Sequence, residues 1–384
     1  MMNLNQKTPS FFRFLTKIQK MIRLALICML LILIASCAKE QDDLDKNLTI
    51  GGQKIYAAGY YIDGYPNGVQ YASYWVNGER VSMGEGEVTD IFVQDNIVYA
   101  SGYDESSNAV YWVDGEKKSL QGKGTMAHSI YIHNDDVYVA GSFSNGSCYW
   151  KNGSKINLTT GADSEAFGIV LSEDGEVYVG GYYMNNHHYL IPARWNGTQR
   201  RNLTKPKGGD GEVYDVVLKN GTTPIFLGMS MAPNNMVGYV TKASYWIGNK
   251  RIDCDNGGTW KDNVYGGEAF RGFVHGDDVY LAGNVQYIGL VDSDGNEIEG
   301  KGGIFPHYWK NGNIHNLSGG PVYDNYWVGG GKDIFVSDSK VVVGGWASSN
   351  DLAQVAAIWV DGQLIYLEDE QEFSSVVNSI FVPQ

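Results

Sequence analysis

Residues 137–158 contain Val137-Tyr138-Val139-Ala140-Gly141, then Tyr149-Trp150-Lys151-Asn152-Gly153, then Lys155-Ile156-Asn157-Leu158. Ser129-Ile130-Tyr131-Ile132 precedes them, followed by the polar pair Asn134-Asp135. Each apolar phrase alternates with a period of two, which is strand patterning. Asn-Gly between two such phrases marks a two-residue hairpin, because both residues accept the positive φ that the turn needs. The stretch therefore predicts four short antiparallel strands. Working outward, the same phrases recur. The Trp phrase stands at Trp75, Trp112, Trp150, Trp195, Trp246, Trp309 and Trp359, and the Val-Tyr-Val-Ala-Gly phrase also has seven copies, beginning with Ile55-Tyr56-Ala57-Ala58-Gly59. A four-stranded repeat of about 40–50 residues is the unit of a β-propeller. The ends of the chain agree with this. The first repeat starts at its second strand, Lys54–Tyr60, and the sequence finishes on an unmatched first strand, Asn378-Ser379-Ile380-Phe381-Val382. Pairing them closes a ring and removes both exposed edges. The expected fold is all-β: a seven-bladed β-propeller of four-stranded antiparallel blades, closed by the C-terminal strand.

Composition supports this reading. The 384 residues include 49 Gly and 26 Tyr, with 13% aromatic and only 19% charged residues. Gly and Tyr suit tight turns and strands, and a disordered chain would carry fewer aromatics and more charge. The net charge of −14 disfavours a partner with a phosphate backbone, so no nucleic acid is expected.

The first 36 residues carry Lys7, Arg13, Lys17, Lys20 and Arg23 but no acid, and an 11-residue apolar run, Leu24–Ile34, follows them. That run is too short to span a bilayer, which takes about 20 residues, and it fits the h-region of a signal peptide. It ends in Ile34-Ala35-Ser36-Cys37, which resembles the lipobox of bacterial lipoproteins. The resemblance implies cleavage before Cys37, acylation of that residue, and attachment to the outer membrane through its acyl chains. Met21 offers an alternative start. The acidic tether after Cys37 resembles surface-export signals of some Gram-negative lineages, which implies outward display. The expected organisation is a signal peptide over 1–36, a lipidated tether over 37–52 and the propeller over 53–384. Cleavage leaves 24 basic residues against 43 acidic ones, so the acyl chains, not a basic patch, must hold the protein to the membrane. The repeats also loosely resemble extracellular repeat families such as the HAF repeat, which implies secretion and repetition but no chemistry.

Strands alternate in direction, so the loops joining second to third strands and fourth to first strands leave one face. The long insertions, 182–193, 229–243, 255–268, 284–307, 318–331 and 346–357, all belong to that face, the expected binding face. They carry Tyr182, Tyr183, His187, Tyr189, Trp260, Tyr287, Trp327 and Trp346, rings suited to stacking on sugars or anchoring a protein partner. The repeated Tyr-Trp pairs are instead expected in the core between blades. At the start of the first strand one position varies across repeats and holds Asp90, Asp215, Arg271 and Asp333. These are candidates for the channel mouth, either as ligand groups or as caps on loop amides. Asp292-Ser293-Asp294-Gly295-Asn296 opens like a calcium loop, but Glu297 stands where Gly is needed, so no metal and no cofactor is expected. Cys148 and Cys254 fall in different repeats, which favours buried thiols over a disulfide. No Gly-x-Ser-x-Gly elbow, phosphate loop or His-Glu-x-x-His occurs, and no catalytic residue is assigned. The functional expectation is a surface-anchored, non-enzymatic lipoprotein that binds a glycan or a protein on the long-loop face. A polysaccharide glycosidase or lyase acting at the channel mouth, and a scaffold subunit of a surface uptake complex, remain open alternatives.

Overall fold

A computed structural model describes residues 48–383 apart from 65–67, 124, 162, 235–237, 257–263, 288–302, 318–326, 339, 349–353 and 369–373. The signal segment, Cys37, Trp260 and the 292–297 stretch lie outside the described residues. Every helix-or-strand element among the described residues is a β-strand. The compact unit begins at Thr49, where Thr49–Ile50 pairs with Gln53–Lys54.

The quoted stretch forms one four-stranded antiparallel run: Met126–His133, Asp136–Phe143, Gly146–Lys151 and Ser154–Thr160. The same up-and-down order repeats along the chain. The first strands are the second half of Glu79–Gln94, then Met126–His133, Ser164–Leu171, Asp210–Lys219, Val264–His275, Trp327–Val336 and Ser374–Phe381. The last of these pairs antiparallel with Tyr56–Asp63, which supplies the strand missing from the first repeat. First strands neighbour one another in chain order, and Ser374–Phe381 lies beside both Trp327–Val336 and Glu79–Gln94. Among the described residues no sheet closes on itself. Neighbouring runs are joined by the long strand Glu79–Gln94, which serves two of them, and by isolated parallel bridges such as Thr241↔Gly266. The architecture is all-β and propeller-like.

The seven Trp side chains of the repeat are all at most 1% exposed. They pack between consecutive runs, as where Trp112, with Val88 of its own run, joins Tyr56 and Ala58 of the preceding run. Burying each ring stabilises the fold by roughly 2–3 kcal/mol. Four indole N–H groups also donate to the segment that ends the preceding run. Trp150 donates to Gln121 O (2.8 Å), Trp246 to Thr204 O (2.7 Å), Trp309 to Asp255 O (2.5 Å) and Trp75 to the Glu368 carboxylate (2.7 Å). The Trp75 bond ties the start of the chain to its last run. Trp112 and Trp195 have no such acceptor among the described residues.

The Asn-Gly and Asp-Gly turns have the expected geometry, with Asn152 at φ 50° and Gly153 at φ 79°. They also have a second role. The side-chain oxygens of Asp114, Asn152, Asn311 and Asp361 accept the backbone N–H of Val98, Val137, Val279 and Val341 at 2.8–2.9 Å. Each bond fastens the turn after the third strand to the start of the second.

Several expected insertions are strand extensions. Residues 229–243 lie largely in a hairpin of Thr223–Asn234 with Gly238–Ile247, and 182–193 in a hairpin of Val177–Met184 with Leu190–Asn196. Extending the ladder satisfies backbone groups that an irregular loop would leave to water.

Candidate functional site

All seven first strands carry a β-bulge at the same point. The extra residues are Thr89, His128, Phe167, Tyr214, Phe270, Lys332 and Asn378. A bulge bends its strand and re-aims side chains. Here it presents two successive residues of each first strand to the centre, in two layers.

The residues after the bulge form a collar of Asp90, Ser129, Gly168, Asp215, Arg271, Asp333 and Ser379. The structure brings the four charged candidates together here. Asp90 accepts the backbone N–H of Ile91 (2.9 Å) and, on the next first strand, that of Ile130 (2.8 Å). Asp333 repeats this with Ile334 (2.7 Å) and Ile380 (2.9 Å), and Asp215 accepts from Gly272 at 3.1 Å. Each carboxylate thus staples two neighbouring first strands. Ser379 Oγ donates within the same layer, 2.8 Å from both Asp90 and Asp333. Arg271 reaches across. Its Nη1 lies 3.0 Å from Asp90 Oδ1, and Nη2 donates to the carbonyls of Thr89 (3.1 Å) and His128 (3.2 Å). Burial pushes the Asp215 carboxyl up to about 7 and that of Asp333 to about 6, although Arg271 opposes both shifts. The three carboxylates are under 8% exposed. They form a buried plug whose hydrogen bonds are spent on joining neighbouring first strands.

The bulge residues form the layer on the side toward the long insertions. Five of them make a continuous arc. His128 packs on Phe167 (ring centroids 4.7 Å apart), Phe167 on Tyr214 (5.4 Å) and Tyr214 on Phe270 (5.8 Å), and Lys332 Nζ sits 4.1 Å over the Phe270 ring. All are half-buried. Asn378 and Thr89 complete the layer by donating to Val88 O and Ala127 O of the following first strands.

Two residues before four of the seven bulge residues, Thr89, Phe167, Tyr214 and Phe270, stand Glu87, Glu165, Glu212 and Glu268. Glu87 is fully engaged, accepting from Gln70, Asn378 and Tyr103. Glu165 lies 3.2 Å from His128 Nε2 and is hydrogen-bonded to Tyr182, whose hydroxyl pKa is raised by burial and by Glu165. Burial, with Glu268 and Glu165 nearby, pushes Glu212 up to about 7. Burial also raises Glu268, against the opposing charge of Lys332, and burial lowers Lys332. The outcome is a basin with an aromatic floor, three adjacent carboxyl groups and one cation.

Of the predicted loop aromatics, Tyr182 joins this basin, 6.0 Å from Phe167. Tyr183 is stacked under Arg200 (3.7 Å) and Tyr189 under Lys205 (4.7 Å), so one face of each ring is already taken. His187 is exposed at a hairpin tip built on Asn185. Trp346 is 9% exposed, with its indole against Gly330, and offers little to a ligand. For Tyr287 and Trp327 only the backbone, within strands, is described. Sequence reasoning missed the bulge layer by one residue. The available signal was the last glycine of the Val-Tyr-Val-Ala-Gly phrase. A Cβ at Gly102, Gly141, Gly181 or Gly283 would overlap the carbonyl oxygen of Glu87, Met126, Glu165 or Glu268, which the bulge drives toward it. A recurrent glycine inside a strand marks such a close approach.

Among the described residues no three His, Cys, Asp or Glu side chains are placed to hold a metal ion. Cys148 and Cys254 are free and buried, and burial pushes both thiols up to about 12.

No family model matches the sequence, nor does any curated protein. Among solved structures the chain is similar to the β-propeller domain of the Trilobed protease from Pyrococcus furiosus, at 11% identity over 84% of this chain and 97% of that one, with a TM-score of 0.49. It is similar to the Pyrococcus horikoshii acylaminoacyl peptidase at 10% identity over 83% of this chain and 51% of that one, with a TM-score of 0.46. The chain spans about half the length of that peptidase. It is also similar to the Aleuria aurantia lectin, described as a six-bladed β-propeller that recognises fucose, at 10% identity over 86% and 97%, with a TM-score of 0.32. Likenesses this distant carry no chemistry over to this chain.

Proposed function

We propose that the chain is a lipid-anchored surface protein. Its propeller has seven blades, closed by the pairing of Ser374–Phe381 with Tyr56–Asp63, and it binds a glycan in the basin above the collar without turning it over. The observation that carries the binding reading is the arc His128–Phe167–Tyr214–Phe270 beneath Glu165, Glu212 and Glu268. Aromatic rings stack on the apolar faces of sugar rings, and carboxyl groups bond the hydroxyls at their edges. Sites of this kind combine apolar walls with a few placed polar groups. Lipid anchoring through Cys37 rests on the sequence of the first 37 residues.

One observation favours a second reading. A carboxyl held near pKa 7, as Glu212 is beside Glu268 and Glu165, suits a general acid, and a pair of carboxyl groups suffices for glycoside hydrolysis. A glycan panel assayed for both binding and reducing-sugar release separates the two. Binding without release supports the lectin-like reading. Release that disappears in Glu212→Gln supports hydrolysis. Failure to bind any glycan sinks both and turns attention to a protein ligand.

A further inference from the structure

The collar divides the central channel, and on its far side, toward the short turns that join first to second strands, lies a separate cavity of about 930 Å³. Its walls come from the first strands beyond the collar. Phe92, Tyr131, Phe273, Phe335 and Phe381 all line it. They pack on one another around the wall, with Phe92 edge-on to Tyr131 at 5.2 Å and tilted against Phe381 at 4.7 Å, and Phe273 tilted against Phe335 at 4.9 Å. The volume sits within the roughly 300–1,000 Å³ typical of small-molecule sites, which fits a small ligand better than a macromolecule.

Charge chooses the ligand. The lining holds the carboxylates Asp90, Asp215 and Asp333 at the floor and Asp95 and Glu173 near the turns, against one guanidinium, Arg271, and one imidazole, His133. Arg271 is turned to Asp90 and to the carbonyls of Thr89 and His128, so the charges of Arg271 and Asp90 offset each other within the collar, and the acidic excess of the lining comes from Asp215, Asp333, Asp95 and Glu173. An aromatic wall under a negative field attracts an organic cation, because the ring faces are themselves negative. An anion would meet the carboxylates, and a neutral apolar molecule would gain only the wall.

We infer that this cavity is a second ligand site, distinct from the basin, which takes a small organic cation of the aryl- or alkylammonium class. The cation's apolar body lies against Phe273, Phe335 and Phe381 and its charge faces the carboxylate-rich lining. The site does not depend on glycan binding at the opposite end of the channel.

The test titrates the full chain with benzyltrimethylammonium, and in parallel with neutral benzyl alcohol and anionic benzenesulfonate, by calorimetry. The expected result is saturable binding of the cation, at least tenfold tighter than the alcohol, with no binding of the sulfonate. Added salt should weaken it. Phe273→Leu and Phe381→Leu, which keep most of the apolar volume but remove the ring faces, should each weaken the cation about fivefold or more. Thermal melts of both variants confirm folding. Glu212→Gln, in the basin, should leave cation binding unchanged. No saturable binding, equal affinity for cation and alcohol, or loss on Glu212→Gln with the Phe variants unaffected would each overturn the assignment.

Discussion

Arg271→Met is the sharpest perturbation of the collar. It keeps a long apolar stem and removes the one cation that reaches Asp90 at 3.0 Å. At that distance and an effective dielectric of about 20, the attraction is on the order of 5 kcal/mol. Desolvation of the guanidinium offsets part of this, and breaking a buried pair typically costs about 3–5 kcal/mol because the partner charge is left behind. The carbonyls of Thr89 and His128 lose their donor as well. The cost depends on pH, with a definite sign. The carboxyls of Asp215 and Asp333 are raised by burial to about 7 and about 6. A carboxyl whose pKa is raised on folding contributes stability that is complete below its unfolded value and is lost as pH rises through the folded value. Removing Arg271 raises both further and deepens the loss on the alkaline side. Denaturant unfolding of wild type and variant at pH 8 and pH 5 should show a deficit of about 3–5 kcal/mol at pH 8, smaller at pH 5 by at least about 1.4 kcal/mol, the equivalent of one pKa unit. A deficit under about 1 kcal/mol at pH 8, or one equal at the two pH values, would refute the plug as described.

Other expectations follow from the repeat. Trp150→Phe should cost about 1 kcal/mol more than Trp112→Phe in unfolding experiments, because only Trp150 loses a hydrogen bond, the one to Gln121 O. Gly141→Ala places a methyl group on the Met126 carbonyl and against Trp150, so a loss of about 1–3 kcal/mol is expected, measurable by thermal melt against the wild-type chain. Glu212→Gln removes a half-buried acid whose pKa is raised to about 7. Its effect should be stabilising above pH 7 and near neutral below pH 5, read from melts across that range.

The architecture was legible because its signals are local and repeated. Asn152-Gly153 states its own turn, and Trp150 recurs wherever two runs must pack. The missing first strand at Lys54 and the surplus one at Asn378 announced their pairing, which the structure contains. The candidate site was less legible. Asp90, Asp215, Arg271 and Asp333 share one repeat position and one layer of the fold, but sequence shows the position and not where the hydrogen bonds go. Backbone amides of neighbouring strands consume them, so chemistry-bearing residue types there serve the fold. His128, Phe167, Tyr214, Phe270 and Lys332 were overlooked because a period-two reading counts every strand residue once, whereas a bulge inserts one. Glycine at 102, 141, 181 and 283 encodes that insertion only when the facing strand is considered with it. Trp346 falls in a strand, Val341–Ser348, and not in a loop, because strand extension past the usual hairpin length leaves no mark in sequence distinct from an insertion.

The central claim is that ligand binds over the bulge layer and not on the outer hairpins. Saturation-transfer NMR of a bound glycan with the wild-type chain, Phe270→Ala and Tyr183→Ala tests it most directly, with melts to confirm folding. The account predicts loss of transfer in Phe270→Ala and full transfer in Tyr183→Ala. Full transfer in Phe270→Ala with loss in Tyr183→Ala would contradict it and move the site to the loop aromatics.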